Sequence, residues 1–160
     1  MELQRALMAV TAAACAAMIA APAALAASEQ DGVCADSPVS YDPAAERALR
    51  SLTNCFRHEY GKAPLRARGQ LTRAARAHSL RMAQQGVFAH SNGGGGFPWA
   101  EGRPAGENLA LAATPEQAIA LLKESPSHRR TLLGATYRRI GIGALRTCTG
   151  HLLITQDFQG

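Results

Sequence analysis

The stretch Ile140-Gly141-Ile142-Gly143-Ala144 decides the fold. Large apolar side chains alternate here with glycine, which predicts a β-strand with isoleucines on one face and bare backbone on the other. Glycines along one face let a second element approach the strand closely. A turn at 147–150 and a further strand from His151 to Phe158 follow, so the two strands are predicted to form an antiparallel hairpin. We therefore expect a sheet that is covered on both faces.

The segments before this hairpin are mostly helical. Asp42 as N-cap and Pro43 as first helical residue open the first helix. Gly86 ends the second helix in Schellman fashion, and a capping box opens the third at Thr114. The helices are predicted from 43 to about 61, from about 70 to 85, from 115 onward and from 126 to 134, with a short buried strand at 108–112. Helices combined with an antiparallel hairpin indicate the α+β class, arranged as a layered sandwich.

Residues 1–26 are predicted to be a secretory signal peptide. After Arg5 the segment is almost entirely apolar, and Ala24-Leu25-Ala26-Ala27 matches the small-residue cleavage pattern. An uncleaved membrane anchor is the alternative, because about 20 apolar residues can span a bilayer. The polar residues that follow favour cleavage. We expect an N-terminal arm at 27–45, one domain at 46–160, and export to the periplasm or the cell exterior.

The charge balance is basic, with 17 Lys and Arg against 12 Asp and Glu and a sequence pI near 9.4. An exported basic protein is expected to associate with anionic surfaces such as wall polymers or lipid headgroups. No basic motif interleaved with aromatic residues occurs, which argues against specific nucleic-acid binding.

Three cysteines follow the predicted cleavage site, Cys34, Cys55 and Cys148. Export favours a disulfide between two of them. Three pairings are open, and we prefer Cys34 with Cys55, which would tie the arm to the first helix.

Three short segments place an imidazole or a carboxylate near a helix end or a turn. They are Phe88-Ala89-His90-Ser91, Gly106-Glu107-Asn108-Leu109 and Ser125-Pro126-Ser127-His128-Arg129. Two histidines and a glutamate from separate elements are the minimum set for a divalent-metal site or for acid/base chemistry. His128 falls in the first helical turn, where the helix dipole disfavours imidazolium, so a neutral ring is expected. The alternative is that Glu107, which must be paired if buried, only holds loops in shape.

A glycine run at 93–96, followed by Phe97 and Trp99, separates the first two segments. We interpret it as a flexible flap whose aromatic side chains, together with Asn108, line a ligand groove. Simple packing of the two aromatic rings is the alternative. His78 lies on the inner face of the second helix and is predicted to be a satisfied core histidine.

The order of these motifs resembles the CAP superfamily, which comprises cysteine-rich secretory proteins, antigen 5 and pathogenesis-related 1 proteins, in its short bacterial SCP-like form. The resemblance runs from Glu46 to Phe158. Besides the three segments above, it is carried by Leu71-x-x-Ala74-Ala75-x-x-His78-Ser79-x-x-Met82-Ala83, Ile140-Gly-Ile-Gly143 and Thr155-Gln156-Asp157-Phe158.

The resemblance implies an α-β-α sandwich with a central three-stranded antiparallel sheet flanked by about four helices. It also implies a cleft of two histidines and two glutamates that binds a divalent metal, zinc being the expected ion. Carried over to this sequence, the cleft residues are His90, Glu107 and His128. The second glutamate has no clear match, and Glu124 is the nearest candidate.

Three functions remain open from the sequence. The leading one is a secreted, monomeric, non-enzymatic module that binds a small hydrophobic or cell-wall-derived ligand, with a metal rigidifying the cleft. The second is a metal-assisted, peptidase-like hydrolase in which Glu107 activates water. The third is an extracellular scaffold whose histidines and glutamate only pin loops together.

Overall fold

The computed structural model describes residues 40–91 and 97–160. In chain order the elements are β1 (Ser40–Tyr41), α1 (Pro43–Glu59), β2 (Arg66–Ala67), α2 (Gly69–Gln85), β3 (Ala105–Ala112), α3 (Pro115–Glu124), α4 (Pro126–Leu132), β4 (Arg139–Arg146) and β5 (Leu152–Gln159). A 3-10 turn at Pro98–Ala100 precedes β3. These elements confirm the α+β class. Over the described ranges, no helix has both the length and the apolar character needed to cross a bilayer.

The three long strands β4, β5 and β3 form the antiparallel sheet that was expected, with β5 in the middle. Two strands of two residues each add to the outer side of β4. β1 pairs antiparallel with one end of β4, and β2 pairs parallel with the other end. Among the described residues the sheet therefore has five strands rather than the expected three. The two additional strands were not predicted because segments this short carry no hydrophobic periodicity that a sequence pattern could report.

One face of the sheet is covered by α2. A Cβ built on Gly141 would lie under 3.0 Å from the backbone of Leu71, and one built on Gly143 would lie equally close to the backbone of Ala75. The helix thus packs directly on the bare face of β4, as the alternation of glycine and isoleucine predicted. Met82 continues this layer against the far end of the sheet.

The opposite face of the sheet packs against α1, α3 and α4. Its core includes Leu49, Ile142, Ile154 and Phe158, each at most 4% exposed. The molecule is accordingly a three-layer sandwich. Since side chains alternate along β3, neighbouring residues of that strand face different helical layers.

The predicted helix ends are largely confirmed. Asp42 Oδ1 accepts a hydrogen bond of 2.9 Å from the Ala45 amide, and Gly86 adopts a left-handed φ of 63°. Thr114 Oγ1 accepts from the Gln117 amide at 3.2 Å. Ser125 occupies the N-cap position of α4, but its side chain makes no capping hydrogen bond.

Strand β3 begins at Ala105, three residues earlier than the predicted strand. This difference matters for function because it moves Glu107 from a loop into the sheet. The first residues of β3 pair with the last residues of β5 up to Gln159. Gly106 and Glu107 are not large apolar residues, so the hydrophobic pattern predicted a strand start that is too late.

Several expectations concern residues outside the described ranges. These are the signal peptide at 1–26, most of the arm at 27–45, the glycine run at 93–96 and Cys34. The preferred pairing of Cys34 with Cys55 therefore stays a prediction. Of the arm, residues 40–45 form β1 and the start of α1.

Candidate functional site

The predicted cleft lies at β3, the strand at one end of the sheet order. Glu107 pairs with Asp157 across β3 and β5, on the face that α2 covers. Asn108, its neighbour, points to the other face and hydrogen-bonds to α4. Elements from both helical layers therefore meet around this strand. The loop after α2 supplies His90, and α4 supplies His128.

Glu107 holds His90 in place. The His90 ring donates from Nδ1 to Glu107 Oε1 at 2.8 Å, and the Ser91 amide donates to the same oxygen at 2.9 Å. The side chain of Glu107 is fully buried, whereas that of His90 is half exposed. With Nδ1–H bound to the carboxylate, the Nε2 lone pair of His90 is left available to a ligand.

His128 lies opposite His90. The centroids of the two rings are 6.4 Å apart, with the ring planes inclined at 51°. Asn108 Nδ2 donates to the His128 carbonyl at 3.3 Å and so ties this turn of α4 to β3. Burial lowers the pKa of His128, and the neighbouring His90 lowers it further. The lowered pKa supports the expected neutral ring, but its causes are burial and the neighbouring His90 rather than the helix end.

His78 is the satisfied core histidine that the sequence predicted. Its Nε2–H donates to the Ala89 carbonyl at 2.9 Å, and Arg81 approaches Nδ1 at 3.2 Å. Burial lowers its pKa. Its Nε2 also lies 3.9 Å from Glu107 Oε2, so Glu107 sits between His78 and His90.

Sequence reasoning missed Asp157. This carboxyl is 1% exposed and lies directly across from Glu107 in the sheet. Burial, followed by the charge of Glu107, raises the pKa of Asp157 to about 8. Neither oxygen of Asp157 nor Oε2 of Glu107 has a hydrogen-bond partner among the described residues, and a protonated Asp157 could donate to Glu107. The sequence did contain one sign of this residue, namely an aspartate within the otherwise uncharged strand β5.

The residues of this cluster that could serve as metal ligands are His90 and His128, through their imidazole nitrogens. Because Glu107 Oε1 already accepts from His90 and Ser91, Glu107 orients His90 from behind, as carboxylates commonly do at metal-ligating histidines. No group of three or more His, Cys, Asp or Glu side chains among residues 40–91 and 97–160 is arranged to hold a metal ion. Glu124 lies exposed at the last residue of α3 and has no described hydrogen bond or ion pair with this cluster.

The predicted groove residues occupy varied environments. Phe97 stacks on Trp99 with centroids 4.9 Å apart, and Trp99 is 8% exposed. Gln159 Nε2 donates to the Trp99 carbonyl at 2.9 Å, which fixes this turn against the end of β5. Asn108 is fully buried. Their role in a groove stays a prediction.

A hollow of about 180 Å³ opens beside His90, lined by the end of α2 and the loop that follows it. Val87 lines it, and Val87 and Phe88 are each more than half exposed. An imidazole next to exposed apolar side chains offers both a polar and an apolar contact to a ligand.

The family model of the cysteine-rich secretory protein family (CAP) matches residues 50–158. Protein YkwD of Bacillus subtilis, itself uncharacterized, is 30% identical over 125 residues, which is 73% of this chain and 48% of that protein. The chain thus spans about half the length of this curated relative.

Three solved structures share the fold. An outer surface protein of Borrelia burgdorferi has a TM-score of 0.66 at 17% identity, covering 74% of this chain and 96% of its own. An extracellular SCP-domain protein of Bacillus anthracis has a TM-score of 0.60 at 23% identity, covering 72% of this chain and 40% of its own. NaASP2, solved with Zn²⁺, has a TM-score of 0.57 at 13% identity, covering 81% of this chain and 85% of its own.

Proposed function

The chain belongs to the cysteine-rich secretory protein (CAP) family, and from that premise we propose that it is an exported binding module whose ligand docks at His90 and His128. The observation that carries the proposal is the pairing of a half-exposed His90, oriented by a buried glutamate, with a second imidazole 6.4 Å away. We assign the protein to the periplasm or the cell exterior, in keeping with its secretory family and its extracellular bacterial neighbour.

The ligand that this surface suits is small and partly apolar. Val87 and Phe88 offer exposed apolar area next to His90, and burial of such area drives association. A lipid-like or cell-wall-derived molecule with a polar group at the imidazoles and an apolar part along this loop fits both features. The protein is proposed to act as a monomer.

A divalent metal, zinc by preference, is proposed to bind between His90 and His128. Zinc accepts neutral imidazole nitrogens, and the lowered pKa of His128 keeps that ring neutral at neutral pH. When bound, the ion would supply a Lewis-acidic centre that attracts an anionic or carbonyl group of a ligand. Glu107 would keep the His90 ring in the ligating orientation.

Zinc titration tests this site. We expect calorimetry with the wild-type protein at pH 7 to give saturable binding, and His128→Ala to weaken it by at least about tenfold. His58→Ala is the matched control, since His58 is exposed on α1 and lies outside the cluster. Equal zinc affinity in the wild-type protein and His128→Ala would refute the metal site.

Replacing Glu107 separates the binding role from the scaffold role. Glu107→Ala removes two hydrogen bonds to a fully buried carboxylate and leaves a cavity in its place, so we expect the free energy of unfolding to fall by about 2 kcal/mol. Zinc affinity should fall as well, by about tenfold, because His90 loses its orienting carboxylate. A loss of stability with unchanged zinc affinity would favour the scaffold function instead.

The hydrolase alternative requires more than this donor set provides. Catalytic zinc sites generally use three protein ligands, and the cluster offers two imidazoles with Glu107 engaged behind one of them. Turnover of peptide or ester substrates that a chelator abolishes would favour this alternative over the binding module.

A further inference from the structure

A second pocket, of about 450 Å³, lies where the end of α1 meets α4. It is lined by Tyr60, Lys62, Arg129, Arg130 and Leu133. None of these side chains belongs to the histidine cluster. Three of the five are cationic, and the other two offer an aromatic ring and an aliphatic surface.

The cations of this pocket have no carboxylate partner within the described residues. The ion pairs that do not involve histidine join Arg68 to Glu101, Arg76 to Glu46 and Arg146 to Asp42, all in other parts of the molecule. Three cations that line one pocket without a paired carboxylate create a local positive potential. Such a potential attracts an anion.

A buried cation, Arg57, holds the residues next in the chain to two of the lining side chains. Arg57 is fully buried, and its guanidinium donates to the carbonyls of Ala63 at 2.9 Å, Leu132 at 2.7 Å and Gly134 at 3.1 Å. These carbonyls flank the lining residues Lys62 and Leu133 in the chain. Arg57 therefore clamps the two sides of the pocket together and preforms it.

No carboxylate neutralises Arg57 in the described structure. Its Nη2 has no hydrogen-bond partner there. Burial lowers the pKa of Arg57, and the nearby Arg138 lowers it further. An uncompensated buried guanidinium is costly, and an anion in the adjacent pocket would offset part of that cost.

Arg129 is held ready to bind. Its guanidinium carbon lies 4.8 Å from the centroid of the Tyr60 ring and 5.1 Å from that of Phe56. Stacking on aromatic faces fixes the plane of the guanidinium and leaves its N–H edge free for a planar or tetrahedral oxyanion. Lys123 lies on the same Phe56 ring at 4.5 Å and extends the positive surface.

We propose that this pocket binds a phosphate group carried by a ligand with a short apolar portion. Arginine and lysine together are the usual protein partners of phosphate, because each charged N–H donates to a phosphate oxygen. Tyr60 and Leu133 would contact the apolar portion. The site is separate from the proposed histidine cleft, so either can fail without the other.

Glycerol 3-phosphate is the probe for this site. We expect nuclear magnetic resonance titration to shift the signals of Tyr60 and Leu133 saturably, and Arg130→Gln to weaken the affinity by about tenfold, the value of one charged hydrogen bond. Arg73→Gln removes the same charge from an exposed position on α2 and should leave the affinity within about twofold. Since both arginines are exposed or solvent-facing, thermal melting should be unchanged in each variant.

Vesicles distinguish the two sources of the phosphate. Flotation with phosphatidylglycerol vesicles but not with phosphatidylcholine vesicles, lost in Arg130→Gln and kept in Arg73→Gln, would identify a lipid headgroup. Binding of glycerol 3-phosphate without vesicle binding would identify a soluble phosphate ester. No saturable binding of either probe, or equal losses in the two variants, would overturn the proposal.

Discussion

We expect Gly141→Ala to lower the free energy of unfolding by about 3 kcal/mol, a large share of the roughly 5 to 15 kcal/mol that keeps a native protein folded. The added Cβ would lie under 3.0 Å from the backbone of Leu71 and Thr72, where α2 rests on β4. Backbone atoms inside a helix cannot rotate away as a flexible side chain can. The helix would have to lift from the sheet and open its interface. Urea denaturation followed by circular dichroism measures the loss.

Gly69→Ala is the matched control for this prediction. Gly69 is the first residue of α2, and a Cβ there would meet only the end of the Arg73 side chain at 3.7 Å. Alanine also favours a helix more than glycine does, by up to about 1 kcal/mol. We expect this variant to be as stable as the wild-type protein or slightly more stable. A Gly141→Ala protein with wild-type stability would mean that α2 does not pack on the glycine face.

The same contact shows which parts of the fold the sequence could predict. Alternation of glycine and isoleucine at 140–144 is a local pattern with one physical meaning, a strand that is approached closely on one face. The caps at Asp42 and Thr114 are equally local, since each side chain bonds to its own helix. The structure bears out all three.

Other features depend on partners that are distant in the chain. β1 and β2 form strands because the outer edge of β4 offers them pairing partners, and a two-residue segment contains no pattern that predicts a strand. In the sequence, Arg57 looks like any surface arginine of a helix. In the structure it is fully buried, and two of the three carbonyls that accept its hydrogen bonds lie more than 70 residues away in the chain. A local sequence pattern cannot predict contacts between segments that are distant in the chain.

The residues of the candidate site also differ in whether a local motif could predict them. His90 and His128 could be singled out because each sits in a short motif, and the structure brings their rings together. Glu107 was identified, but its location in β3 was not. Asp157 escaped notice because its partner Glu107 lies 50 residues earlier in the chain and becomes a neighbour only through strand pairing.

We expect Asp157 to make the free energy of unfolding depend on pH. The pKa of this carboxyl rises from 3.8 to about 8 on folding, so between these values the folded protein holds a proton that the unfolded chain has released. The free energy of unfolding should therefore fall as pH rises toward 8, by at most about 1.4 kcal/mol per pH unit. His78 and His128 have lowered pKa values and act in the opposite sense, but only below their unfolded value of 6.5. The window from pH 6.5 to 8 thus isolates Asp157 from these two histidines.

Asp157→Asn should remove this slope. The amide has nearly the same shape, carries no charge and can donate to Glu107 as a protonated carboxyl can. Between pH 6.5 and pH 8 the wild-type protein should therefore lose about 2 kcal/mol of unfolding free energy relative to the variant. Urea midpoints at pH 6.5 and pH 8, with a chelator present to keep metals out of the cluster, measure the difference. Glu59→Gln removes an exposed carboxylate at the end of α1 and should retain the wild-type pH dependence. Parallel slopes for the wild-type protein and Asp157→Asn would show that Glu107 faces an ionised Asp157 at neutral pH, in which case the two carboxylates would repel each other beside His90.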